Sequence, residues 1–129
     1  MSEVGVSTIR AAFLEQAALC RAVGSPFTAD LLTTLAECLS DATRTGKEVL
    51  DWSGPPLIDA LPLRLTGGLH ALARSERDAA WSALYHDRSG DLAANLSRVM
   101  SDWDMWLLPW LGSAPQPMRW VAQRCSGPG

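Results

Sequence analysis

The sequence predicts an all-α fold, a small irregular bundle of about five helices. Apolar residues recur at three- and four-residue spacing in successive windows from Ile9 to Leu107. No segment alternates apolar and polar residues with the period of two that a half-buried strand shows. Proline and serine stand at the starts of these windows and glycine at several ends, which is how helices are punctuated.

Ser7 is placed to cap the first helix, and Gly24 to close it in the left-handed conformation. Between them Ile9, Phe13, Ala17 and Cys20 share one face. Ser25-Pro26 then restarts the chain as N-cap and first-turn proline of a helix whose stripe is Phe27, Leu31, Leu35 and Cys38 or Leu39. With almost no linker, the two helices form an antiparallel hairpin. Val49, Leu50 and Trp52 indicate a short packed helix within Asp41 to Asp51, interrupted by Gly46 and followed by the turn Ser53 to Pro56. Pro62 opens a third main helix with the stripe Leu61, Leu65, Leu69 and Leu72. Gly67 and Gly68 lie inside it. Each weakens a helix by about 1 kcal/mol relative to alanine, so together they mark a place where another element approaches closely. A short helix at Ala79 to Tyr85 turns Trp81 and Leu84 inward. After the turn and N-cap at Ser89-Gly90-Asp91, the last helix carries Leu92, Leu96, Val99, Trp103 and Trp106 or Leu107, until Pro109 kinks or stops it.

A chain of 129 residues is one domain's worth. Residues 1–6 read as a flexible N-terminus, 7–114 as the helical domain and 115–129 as a non-native or disordered tail. An apolar fraction of 47% with 19% charged residues is globular rather than disordered. Net charge is −3 and the 11 basic residues are scattered, so no positive stripe exists to neutralise nucleic-acid phosphates. The first ten residues lack the charged start and apolar centre of a signal peptide. The apolar run Met105 to Leu111 is about a third of a membrane span, which predicts a cytoplasmic protein with no membrane partner. Three cysteines in a reducing compartment are free thiols. Cys20 and Cys38 read as small buried hydrophobes, and without a C-x-x-C spacing no metal centre is assigned.

His70 has no nucleophile or orienting carboxylate assignable to it and reads as a surface or hydrogen-bonded structural histidine. His86 sits at a helix C-terminus, where the dipole favours it. Asp102 and Asp104, two apart on a helix, point in different directions and read as solvated. Gly67-Gly68 lacks the spacing of a phosphate loop. No catalytic or cofactor-binding residue is therefore assigned. Trp103, Trp106, Leu107 and Trp110 are assigned as a partner interface: with Arg98 as the helix's one cation they do not make a membrane anchor, but a seam that something must cover.

RAAFLEQAALCRAVGSPFTADLL (Arg10 to Leu32), VLDWSG (Val49 to Gly54) and DALPLRLTGGLHAL (Asp59 to Leu72) resemble the N-terminal part of domain of unknown function 2332 (DUF2332), an uncharacterised bacterial family, in its alphaproteobacterial-type branch. The resemblance covers roughly Ile9 to Gln116. Members of that family are longer and carry P-Q-T-N-E-V-G-R-S-A after a helix ending in W-L. Here Trp110-Leu111 and Pro115-Gln116 agree, and Pro117 then stands where Thr is expected. Codons chosen for Pro117 to Cys125, read one base displaced, spell D-E-V-G-R-A-A-L. The tail is accordingly expected to be out-of-frame translation of a gene truncated after Gln116, which leaves Cys125 without chemical meaning.

By resemblance, longer members carry a Gly-rich string similar to the first loop of S-adenosylmethionine-dependent methyltransferases. This implies a methyltransferase-like parent in which the present region is a helical cap or substrate-side domain without a cofactor of its own. The expected partner is the missing C-terminal part of the same protein. The alternative is a protein-protein interaction or homo-oligomerisation module that uses the Trp-rich last helix.

Overall fold

The computed structural model describes residues 3–88 and 90–112. Helix follows helix through them: α1 (Glu3–Ala22), α2 (Pro26–Cys38), α3 (Arg44–Leu50), α4 (Leu61–Ser75), α5 (Ala79–Asp87), α6 (Leu92–Asp102) and α7 (Asp104–Leu107), closed by a 3-10 turn (Leu108–Leu111). No strand occurs among the described residues. The all-α expectation holds with seven helices instead of about five. The tail assigned to 115–129, with Cys125, lies outside the described residues.

α1 buries Ile9, Phe13, Ala17 and Cys20, the face expected from their spacing. It begins earlier than Ser7. Glu3 is an acid in the first turn, favourable to the helix dipole, and the Thr8 hydroxyl donates back to Val4 O at 2.9 Å. Residues 3–6, expected to be flexible, are thus helical. Gly24, at φ +86°, ends the element as expected. Its N–H reaches Arg21 O at 3.2 Å and the Ser25 N–H reaches Cys20 O at 2.8 Å, a six-to-one closure. Ser25 makes no side-chain cap, so Pro26 alone prepares the start of α2. α1 and α2 are antiparallel: Arg10 donates to Ala36 O and, at 2.7 Å, to Leu39 O at the far end of α2, while Arg21 meets Asp30 at 2.9 Å beside the turn.

α3 is the short packed helix the sequence suggested, capped by the Thr43 hydroxyl on Gly46 N at 3.0 Å. A Cβ at Gly46 would stand 2.1 Å from Ser40 O, so glycine is required there. α4 is central, and Leu61, Leu65, Leu69 and Leu72 are all fully buried. Burying each contributes about 1.5–3 kcal/mol. Trp81 enters the same core and donates Nε1–H to Leu69 O at 3.0 Å.

Ala60, the residue before α4, is held at φ +56°. A Cβ there costs about 1–2 kcal/mol. Ala60→Gly is therefore expected to stabilise the fold by about 1 kcal/mol, visible as a rise in the thermal midpoint; a fall would show that the strain is relieved elsewhere.

The last helix is where sequence and structure diverge most. A single helix through Trp103 is broken at that residue (φ −114°, ψ +27°) into α6 and α7, and the 3-10 turn follows. The break lets Asp104 reach α3, where its carboxylate accepts from Arg44 N at 2.9 Å and Thr45 N at 2.8 Å. Asp104 is thus a tertiary helix cap, not a solvated acid.

Candidate functional site

The Trp-bearing end is built around Asp78. As N-cap of α5 its carboxylate accepts from Trp81 N at 3.0 Å. The same carboxylate accepts both Arg98 guanidinium nitrogens, at 2.8 and 3.0 Å, and the Trp103 Nε1–H at 2.8 Å. The bonds from Arg98 hold its pKa down at about 2, against the opposing effect of burial. One side chain of α5 thereby fixes α6 and the α6–α7 break.

Trp106 stands 6.2 Å from Trp103 in an edge-to-face arrangement and donates Nε1–H to Gly68 O at 3.1 Å, with the Arg77 guanidinium 5.5 Å from its ring. Trp110 lies across Gly68, where a Cβ would meet its Cγ at 2.9 Å and Leu107 Cδ2 at 3.1 Å. The glycine pair does admit a close neighbour, at Gly68, and that neighbour is Trp110 of the 3-10 turn.

Of the four residues assigned as an interface, Leu107 is fully buried against the core and can contact no partner; that assignment is corrected. The stripe from Leu92 stays on one face only while the helix is continuous; it breaks at Trp103, and Leu107 packs inward. Trp103, Trp106 and Trp110 are half-buried, and Met105 beside them is 66% exposed.

Next to this end, Arg64 is buried among carbonyls. Its Nε donates to Asp59 O at 2.8 Å and its Nη1 to Gly112 O at 2.9 Å and Leu111 O at 3.3 Å, with the guanidinium 5.9 Å from the Trp52 ring. Trp52 Nε1–H in turn donates to Asp59 Oδ2 at 2.8 Å. The strings Val49 to Gly54 and Asp59 to Leu72 are thus joined side chain to side chain and clasp the chain where it passes Gly112. A shallow groove of about 300 Å³ opens here between Glu48, Asp51 and Trp52. Two of its acids are engaged, Asp51 with Lys47 at 2.7 Å and Asp59 with Trp52 at 2.8 Å. No group of three metal-ligating side chains occurs among the described residues.

His70 is the hydrogen-bonded alternative of its two expected roles. The Tyr85 hydroxyl lies 2.7 Å from Nδ1, and Phe27 and Trp81 meet the Tyr85 ring edge-on at 4.8 and 5.3 Å. Burial, then Arg88 and Arg74, lower the His70 pKa to about 4, so the imidazole is neutral and shares one hydrogen bond with the Tyr85 hydroxyl through Nδ1. Burial pushes the phenol itself up. His86 is exposed in the last turn of α5. Cys20 is buried, with Gln16 Nε2 3.8 Å from its sulfur, and Cys38 is half-buried.

The His70 shift has a measurable consequence. Between pH 6.5 and 4 the unfolded chain binds a proton that the folded chain refuses, so stability is full above that window and falls as pH drops through it, by roughly 3 kcal/mol in all. His70→Gln should flatten the denaturation midpoint across this range. An unchanged pH slope would show that His70 is not the group responsible.

The Asp78 hub, the Arg64 clasp and the buried Leu107 were not legible as site features, because each depends on partners 20 to 48 residues away. The cap signal at Asp78 before Ala79 was the one local trace. No helix among the described residues is long and apolar enough to cross a membrane. Residues 10–118 match the family model described as "Uncharacterized protein conserved in bacteria (DUF2332)". No curated protein and no solved structure matches the chain.

Proposed function

The chain belongs to the bacterial family DUF2332, and within it we propose a non-catalytic helical unit that docks further polypeptide of the same protein against Trp103, Trp106 and Trp110. The observation that carries this reading is the state of the indoles. Trp103 and Trp106 are pinned through their N–H groups to Asp78 and Gly68, and Trp110 is seated on Gly68, yet all three keep part of their surface exposed. Large aromatic rings already fixed in orientation lose little entropy on binding, which is how interface anchors work. Arg64 holds Leu111 and Gly112 beside them. In a methyltransferase-like parent this unit would be a cap or substrate-side domain and would hold no cofactor. The unit is placed in the cytoplasm, where a chain with so few cysteines needs no oxidising compartment.

The test is fluorescence titration of the chain with a polypeptide spanning the residues that follow the helical unit in a longer family member. Saturable binding that shields tryptophan from acrylamide is expected. Met105→Glu, at an exposed position, should weaken it at least tenfold while leaving the thermal midpoint unchanged. Absence of binding, or binding indifferent to Met105→Glu, would contradict the reading. Self-association abolished by Met105→Glu would favour homo-oligomerisation through the same surface.

A further inference from the structure

The large apolar side chains exposed among the described residues are not scattered. They number seven, and Val4 (77%), Leu14 (48%), Leu19 (55%) and Val23 (68%) lie on α1 or directly after it. The centre of this outward face is small, with Ala11, Ala18 and Ala22 all exposed. Arg10 points away, into α2. From Val4 to Leu14 the exposed surface of α1 carries no charge at all, and the charges fall near its ends, Glu3 in the first turn and Arg21 in the last, with Glu15 between. A charge-depleted centre flanked by charged positions is the composition of an interface.

We propose that this face joins two copies of the chain, α1 against α1, antiparallel about a two-fold axis near residue 13. This lies apart from the Trp-bearing end and does not depend on its reading. The charges select the orientation. A parallel pair sets Glu3 against Glu3 and Glu15 against Glu15. About that axis an antiparallel pair sets Glu3 beside Val23 of the other copy, within reach of the long, exposed Arg21 side chain that also meets Asp30, and Glu15 opposite Ala11, whose methyl leaves room for the glutamate stem to lie across it and reach water. The alanines permit close approach, and Leu14 and Leu19 flank the seam on either side. A lipid surface is disfavoured because the face is acidic at two positions and has no lysine. A 20-residue helix is about 30 Å long, and two such strips bury roughly 1,200 Å², the lower end of specific interfaces. The area suits a second copy held in the micromolar range, closed by symmetry into a dimer.

Sedimentation equilibrium from about 1 to 500 µM is the test. A monomer–dimer equilibrium is expected. Leu14→Glu with Leu19→Glu, both at exposed positions, should raise its dissociation constant at least 100-fold with the helical circular dichroism retained, and Met105→Glu should leave it unchanged. Glu3→Arg, within reach of Arg21 of the other copy, should weaken it several-fold more than Glu3→Gln. A chain monomeric throughout, or a dimer that survives the double glutamate variant, would overturn the proposal. Equal effects of Glu3→Arg and Glu3→Gln would overturn the antiparallel register.

Discussion

Asp78→Ala is expected to cost about 3 kcal/mol and lower the thermal midpoint by roughly 10 °C or more. The substitution removes an N-cap, worth about 1 kcal/mol by itself. It also leaves the Arg98 guanidinium and the Trp103 N–H without the carboxylate that both address. The ion pair is discounted in this figure because the Arg98 side chain is 37% exposed and solvent screens it. Asp78→Asn should cost less, since an amide oxygen can still cap α5. The pH dependence carries its own sign. A folded pKa of about 2, below the 3.8 of a free aspartate side chain, means that the contribution is complete above about pH 4 and lost as pH falls through 2. Urea denaturation at pH 7 reads the first effect, and its repetition at pH 2 should find the gap between wild type and Asp78→Asn narrowed. An Asp78→Ala midpoint within error of wild type would remove Asp78 from the centre of this end.

Gly68→Leu is expected to have a comparable effect, about 3 kcal/mol, for a steric reason. Leucine is a better helix former than glycine, so intrinsic propensity favours the variant by roughly 1 kcal/mol. Against that, even a Cβ would stand 2.9 Å from Trp110 Cγ and 3.1 Å from Leu107 Cδ2. The rest of the side chain must expel Trp110 or shift the 3-10 turn, with a penalty typical of overpacking. A double-mutant cycle isolates the contact: in the Gly68→Leu background Trp110→Ala should cost at least 1 kcal/mol less than in wild type, because the indole has already been displaced. Additive costs would mean that Trp110 does not rest on Gly68.

The fold was legible wherever one periodicity governed a whole element. The stripes of α1, α2 and α4, the Gly24 stop and the inward Trp81 follow from spacing and capping chemistry alone. Legibility failed where a side chain acts across the chain. Asp104 looks solvated in sequence because the N–H groups it caps are 59 and 60 residues distant. Trp103 fits the helical stripe of α6, yet its indole is drawn to Asp78 and the helix breaks there. Arg64 offers no local sign of burial, since its partners include the two carbonyls that end the described helical chain. The first turn of α1 was missed for the opposite reason: Ser7 is a good cap in isolation, and only the Thr8–Val4 bond and the acidic Glu3 favour the earlier start. At the site, glycine in α4 announced a close approach correctly, but nothing local said that the approaching group was Trp110.

Hydrogen exchange at the indole nitrogens, read from nitrogen-15 tryptophan-labelled protein, tests most directly whether the Trp-bearing end is locked by the chain itself. The Trp103 and Trp106 indole protons should exchange far more slowly than a free indole, and Asp78→Ala should release Trp103 before the buried Trp81. Exchange of Trp103 and Trp106 at the free-indole rate in the wild-type chain would mean that these rings are unpinned, and the preorganised docking face would not exist.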